Sequence, residues 1–269
     1  MSNKTKPPVV LAIGAHPDDI EFMSAGTLLL LKAAGCETHY INVANGSCGT
    51  VEYDAKTTRR IRAEEGRRAA KVLGAHFHAS LVDDLEIFYD LKTVRRLAAV
   101  IREARPGIVL THSPYDYMED HTNTCRLAVA AAFTHGMPNF KTVPSRPPYD
   151  GDMVVYHWMP HGYQDQLRKK VIPGAYVNTT SVHETKLAAL SEHRSQQHWL
   201  DTSQGMNSYL AFMDAASRKL GAWSKKFKHA EGFRRHLHLG YAAKEIDPLA
   251  NLLGKNYAVN HTYERSLRS

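Results

Sequence analysis

Between residues 8 and 133 the chain alternates short, continuously apolar runs with longer amphipathic segments, and that alternation restricts its fold more than any other feature. Pro8 to Ile13 (PVVLAI) is apolar throughout and rich in β-branched residues, the pattern of a strand buried on both faces. Glu21 to Ala34 reads as a largely buried helix stopped by Gly35, and Thr38 to Ala44 as a second strand. A long amphipathic helix is expected from about Thr57 to Leu73, ended by Gly74, followed by a weaker strand over His76 to Val82. Leu91 to Ala104 is expected as the next helix, Ile108 to Thr111 as a strand, and a further helix from near His121 to about Phe133. Parallel neighbours require a crossover, usually helical, so the pattern predicts an α/β fold of the Rossmann-like, doubly wound kind: a mainly parallel sheet with helices on both faces.

After Gly136 the texture changes to a Pro-rich stretch, Met137 to Pro148. Strands are expected at Met153 to His157 and Val171 to Val177, and helices at Val182 to His198 and Met206 to Trp223. This half is read as a C-terminal capping elaboration. The expected organisation is one domain over 1–269, with a metal-site half (8–135), a cleft-forming half (136–240) and a tail (241–269).

With 43% apolar residues the chain carries enough side chains for a sizeable core, which excludes general disorder. The net charge of +7 and pI of 9.2 suit an anionic partner without requiring one. No nucleic-acid reader motif accompanies the basic segments at Arg59 to Lys71 and Lys225 to His238, so no nucleic-acid partner is expected. Cys36, Cys48 and Cys125 form no C-x-x-C pair and no even framework, which argues against a disulfide-stapled secreted fold. The N-terminal apolar run is broken by His16, Asp18 and Asp19, and the longest apolar stretch, Ala25 to Leu31, falls far short of the roughly 18 to 20 residues of a membrane span. A cytoplasmic location and no membrane partner are therefore expected, and a homo-oligomer is compatible with the sequence.

Ligands of open α/β sheets bind beyond the carboxyl ends of the strands, where the strand order reverses. For an order of the 3-2-1-4 type, the loops after Ile13 and after Thr111 face the same crevice. The first contains His16-Pro17-Asp18-Asp19-Ile20-Glu21, the second His112-Ser113-Pro114-Tyr115-Asp116-Tyr117-Met118-Glu119-Asp120-His121. Two imidazoles and several carboxylates in converging loops form a ligand set for a divalent metal, and a hydrolytic zinc site needs three protein ligands and an open position. His16, Asp19 and His121 supply three ligands, and Asp18 then stands beside the metal as a carboxylate able to act as general base. Turn formation and helix capping are the plain alternative for the Asp-Asp pair and for Glu21.

At these residues the chain resembles the LmbE/PIG-L-like family of zinc-dependent N-deacetylases, especially its bacillithiol-biosynthesis branch. The likeness rests on AHPDDIE from Ala15, the following SAGTLLLLKAAG and INVANGSCGT, the Arg62-Ala-Glu-Glu segment, and Asp120-His121. It continues through Lys186-Leu-Ala-Ala-Leu with His193 and Ser195-Gln196 to Glu231-Gly232-Phe233. The resemblance implies one Zn²⁺ per chain, with Fe²⁺ also suited to the ligands, bound by His16, Asp19 and His121. It further implies Asp18 as base, Arg62 as a residue that positions substrate, and hydrolysis of an N-acetyl group from an N-acetylglucosamine-type sugar or conjugate.

One departure matters. The family's second motif often reads His-Pro-Asp-His, whereas this chain has Met118-Glu119-Asp120-His121, and the first His of that motif is thought to assist as an acid or oxyanion stabiliser. His112 or His193 are candidates to replace it, Asp18 can serve as both base and acid, and Tyr115 or Tyr117 can stabilise the oxyanion. The rival readings are a zinc hydrolase of another amide, a lactone or a cyclic amide, and a catalytically silent sugar- or metal-binding protein. The loop from Asn45 to Thr50 lacks the Lys-Ser/Thr of a P-loop and is expected as cleft wall, and Cys48 as packing rather than nucleophile.

Overall fold

The computed structural model describes residues 7–204 and 209–267. In chain order its elements are β1 (Val10–Gly14), α1 (Asp19–Met23), α2 (Ala25–Ala33), β2 (Thr38–Asn42), α3 (Ala55–Leu73), β3 (His76–His78), α4 (Leu91–Ala104), β4 (Ile108–Thr111) and α5 (Glu119–Phe133). There follow β5 (Val154–Trp158), β6 (Ala175–Asn178), α6 (His183–Leu190), α7 (Arg194–Gln204), α8 (Tyr209–Ser224), β7 (Ala230–Arg235), α9 (Pro248–Leu253), β8 (Tyr257–Val259) and α10 (His261–Ser266).

The strands form one sheet in the order β3-β2-β1-β4-β5-β7-β6-β8. Pairings from β3 to β5 are all parallel, and those involving β7, β6 and β8 are antiparallel. Alternation along the central strands fills both faces. Val10, Ala12, Ile108 and Leu110 pack with α2, α3, α6 and α9, while Leu11, Ile13 and Val109 pack with α4 and α5. All five residues of β1 are buried, which is why its sequence is continuously apolar rather than alternating. Because β1 lies between β2 and β4, the expected reversal point falls between β1 and β4.

Three expectations need correction. The helix expected from Glu21 begins at Asp19 and is broken at Ser24, whose φ of −146° is not helical. There the Glu231 carboxylate accepts from the backbone N–H groups of Gly26 and Thr27 and from the Thr27 hydroxyl, starting a second helix. The helix expected over Val182 to His198 is also two, α6 and α7, because the Glu65 carboxylate binds the backbone N–H and hydroxyl of Ser195 in the first turn of α7. The stretch from Lys225 to His238, read for its charge and for Glu231-Gly232-Phe233 but given no strand, contains β7, and the tail adds α9, β8 and α10. Met206, the expected start of another helix, lies outside the described residues; the helix is described from Tyr209.

Candidate active site

The loop after β1 turns back on itself because Oδ2 of Asp19 accepts hydrogen bonds from the backbone N–H groups of His16 (2.7 Å) and Ala15 (3.1 Å). That fixes the carboxylate beneath the loop, with Oδ2 3.5 Å from Nδ1 of His16 and Oδ1 3.4 Å from Nε2 of His121. His121 comes from the first turn of α5, which follows β4, and its ring centroid lies 5.4 Å from that of His16. The structure thus brings His16, Asp19 and His121 together, with one donor atom from each within 4.8 Å of the others and all three side chains buried.

The far nitrogen of each imidazole meets a carboxylate. Nε2 of His16 lies 3.0 Å from Asp120 and 3.3 Å from Asp84, and Nδ1 of His121 lies 3.0 Å from Asp116. This is the arrangement that fixes ring orientation and raises ligand basicity around metals. Burial disfavours a charged His16, yet Asp120, Asp19 and Asp84 outweigh it and hold its pKa well above the usual histidine value. Burial likewise raises the Asp19 pKa, but the neighbouring His121 and His112 bring it well below the usual carboxylate range. Five buried or half-buried carboxylates, Asp18, Asp19, Asp84, Asp116 and Asp120, so converge on a pocket that favours positive charge. Two imidazoles and a carboxylate with solvent access on one side fit a catalytic zinc ion.

Asp18 stands next to this group but outside it. Its backbone is left-handed (φ 121°), an uncommon conformation for a non-glycine residue, and its Oδ2 accepts a 2.6 Å hydrogen bond from the hydroxyl of Tyr209 on α8. Burial raises the Asp18 pKa, opposed chiefly by the guanidinium of Arg62. Arg62, itself buried, donates to the carbonyls of Pro17 (2.6 Å) and Gly46 (3.1 Å), tying the loops after β1 and β2 together. Gly46 has φ +69° and no room for a side chain, since a Cβ there would meet the Arg62 guanidinium at 2.3 Å.

These groups open on a cleft of 510 Å³. Phe22, Trp199, Leu200 and Phe212 supply apolar wall, and Arg62, Gln196 and Tyr117 polar lining. Cys48 does not pack as expected but lies exposed at the same cleft, where partial burial and then the Asp84 carboxylate raise its thiol pKa, which does not suit a nucleophile. Tyr117 leans edge-on toward His121, whereas Tyr115 does not line the cleft.

Neither histidine considered as a replacement at Met118 faces the cleft. His112 is packed behind Asp19, with Nε2 3.3 Å from its Oδ2, Nδ1 accepting from the Trp158 indole, and a pKa brought down to about 4 by burial. His193 is fully buried against Glu21. Beside His16 and His121, a third imidazole lines the cleft: His161, which follows β5 and places Nε2 3.8 Å from Oδ1 of Asp19. No motif surrounds His161 in the sequence, and it lies outside the loops after β1 and β4 that carry the His-Asp pattern. Its position beyond the carboxyl end of β5, the parallel neighbour of β4, was the available signal. Tyr209, far along the chain with no motif around it, offered none.

The profile of the GlcNAc-PI de-N-acetylase (PIG-L) family matches residues 11–132. The diacetylchitobiose deacetylase of Thermococcus kodakarensis is 31% identical over 196 residues, covering 70% of this chain and 69% of that one. This chain belongs to the PIG-L/LmbE family of deacetylases. Among its other relatives, the 4-oxalmesaconate hydratase of Pseudomonas putida is 29% identical over 201 residues, covering 70% of this family member and 74% of the hydratase. The N,N'-diacetylchitobiose deacetylase structure from Pyrococcus horikoshii shares the fold, with a TM-score of 0.72 at 24% identity and 92% of each chain covered. The PIG-L profile spans β1 to α5 and so includes His16, Asp18, Asp19, Arg62 and His121. His161 and Tyr209 lie beyond it.

Proposed function

We propose that this protein is a zinc-dependent hydrolase that removes the N-acetyl group from an N-acetylglucosamine-type sugar or conjugate. The observation that carries the reading is Asp18: a carboxylate beside the His16, Asp19 and His121 trio, excluded from it, held by Tyr209 and lining an accessible cleft. A protein that only bound metal would have no use for such a group.

His16, Asp19 and His121 would hold the zinc, which when bound polarises the amide carbonyl and makes water acidic enough to lose a proton near neutral pH. Asp18 takes that proton as the water oxygen adds to the acyl carbon, then returns it to the departing nitrogen, so acetate and a free amine leave. Its raised pKa suits both halves of that exchange. Arg62 holds the two loops that present Asp18 and keeps its carboxylate from rising further. Tyr117, which lines the cleft, would offer its hydroxyl as a hydrogen-bond donor to the substrate. The aromatic wall of Phe22, Trp199 and Phe212 offers flat apolar surface for a sugar ring, and the family membership with the diacetylchitobiose relatives supports the amino-sugar class.

The test is acetate release from a panel of N-acetylated amino sugars, disaccharides and conjugates, by protein loaded with zinc and by protein treated with a chelator. Zinc-dependent release, lost in Asp18→Asn by about 100-fold or more while zinc content is kept, is the expected result. Hydration of 4-oxalmesaconate without acetate release, the activity named for the Pseudomonas relative, would overturn it.

A further inference from the structure

We propose that His161 is a catalytic residue whose Nε2–H donates a hydrogen bond to the substrate's acyl oxygen, stabilising the charge that collects there as the acyl carbon becomes tetrahedral. This rests on the deacetylase reading above and names a residue for the donor missing at Met118.

Nε2 of His161 is directed at the metal trio but does not belong to it. It lies 3.8 Å from Oδ1 of Asp19, the oxygen that also faces Nε2 of His121, yet His161 is absent from the compact group formed by His16, Asp19 and His121. An acceptor-only carboxylate oxygen on that side favours the tautomer with the proton on Nε2. The side chain is 21% exposed, enough to meet a ligand in the cleft, whereas the His16 and His121 nitrogens are engaged with carboxylates.

The ring is also held. It meets Phe22 edge-on at 5.3 Å, Tyr117 edge-on at 6.3 Å, and inclines over His121 at 5.8 Å. The backbone just after it turns through two left-handed residues, Gly162 (φ +71°) and Tyr163 (φ +61°). Such a conformation is costly for a tyrosine and persists only where surroundings impose it. Here Tyr163 is buried, its hydroxyl donates to the Ala216 carbonyl at 2.8 Å, and its N–H donates to the Pro160 carbonyl at 3.0 Å. A fixed N–H beside the trio is what oxyanion stabilisation requires, and the step moves no proton, because the donor keeps its hydrogen throughout.

The test compares His161→Phe, which keeps an aromatic ring without a donor, with His161→Gln, whose amide N–H reaches about the same place. In the zinc-loaded protein, His161→Phe should lower kcat by about 100- to 1000-fold, with KM changed only a few-fold and zinc content unchanged. His161→Gln should recover at least about tenfold of that loss, and inhibition by acetate should weaken in the Phe variant and return in the Gln variant. Wild-type kcat in His161→Phe, no difference between the two variants, or loss of zinc alongside activity would each overturn the assignment. A wild-type chain that releases no acetate from the panel overturns the deacetylase reading and His161 with it. An active wild type with an indifferent position 161 overturns the assignment alone.

Discussion

The hydroxyl of Tyr209 donates a 2.6 Å hydrogen bond to Oδ2 of Asp18 across 191 residues of sequence, and both side chains are buried. The bond joins α8, from the second half of the chain, to the proposed base on the loop after β1. Burial raises the Asp18 pKa, and the Tyr209 hydroxyl is one of the groups that restrain the rise. Tyr209→Phe should therefore raise it further and move the acid limb of the pH–rate profile to higher pH. The lost charge-assisted bond should also lower kcat about tenfold. A profile measured on both proteins checks this, and an unmoved acid limb would show that Tyr209 only packs.

The proposed ligands separate from the histidine behind them. His121 faces Asp19 in the trio, whereas His112 stacks on His121 at 4.3 Å and reaches the Asp19 oxygen from the buried side. His121→Ala should leave the protein with little zinc after dialysis, and His112→Ala should weaken retention by only about 10- to 100-fold. Metal analysis of the two variants decides it, and equal losses would show that the ligands are misassigned.

The central parallel strands and the converging loops after β1 and β4 were legible because their signals are local: buried runs such as PVVLAI, and His-x-Asp-Asp beside a strand end. Motifs read from the family resemblance proved to be partners of one another. Lys186 binds Glu231 at 2.7 Å, and Glu65 of the Arg62 segment binds Ser195 of the Ser195-Gln196 pair. Neither contact follows from periodicity, because each joins residues distant in sequence and depends on how the second half of the chain docks. The helix breaks at Ser24 and before Arg194 were hidden for the same reason, since carboxylates from elsewhere in the fold start the new helices. His161 and Tyr209 complete the cleft from elements whose order in the sheet no local pattern encodes.

Lys186 and Glu231 form a wholly buried ion pair. Glu231 also receives three hydrogen bonds at the start of α2, and Lys186 donates to the Phe22 carbonyl. Lys186→Met should cost about 3–5 kcal/mol by leaving a carboxylate unpaired in the interior. Adding Glu231→Gln should cost less than the sum of the two single changes, because the second removes the charge stranded by the first. Urea denaturation of the four proteins provides the comparison, and strict additivity would mean that the pair is not coupled.

His157 predicts the response to acid. Its Nδ1–H donates to the His112 carbonyl at 2.8 Å, its Nε2 accepts from His236 at 2.9 Å, and burial brings its pKa down to about 4. In the unfolded chain the same group titrates near about 6.5. Between those values the unfolded state binds a proton that the folded state refuses, so stability falls as the pH drops from about 6.5 toward 4, by about 1.4 kcal/mol per unit for this one group. Above about 6.5 both states leave the ring neutral and the contribution is constant. His157→Gln removes the titrating group, so chemical denaturation between pH 7 and pH 4 should show a shallower loss of stability than in the wild type. Parallel curves for the two proteins would mean that His157 takes up its proton in the folded state and that the polar chain through His112 and His236 opens to admit it.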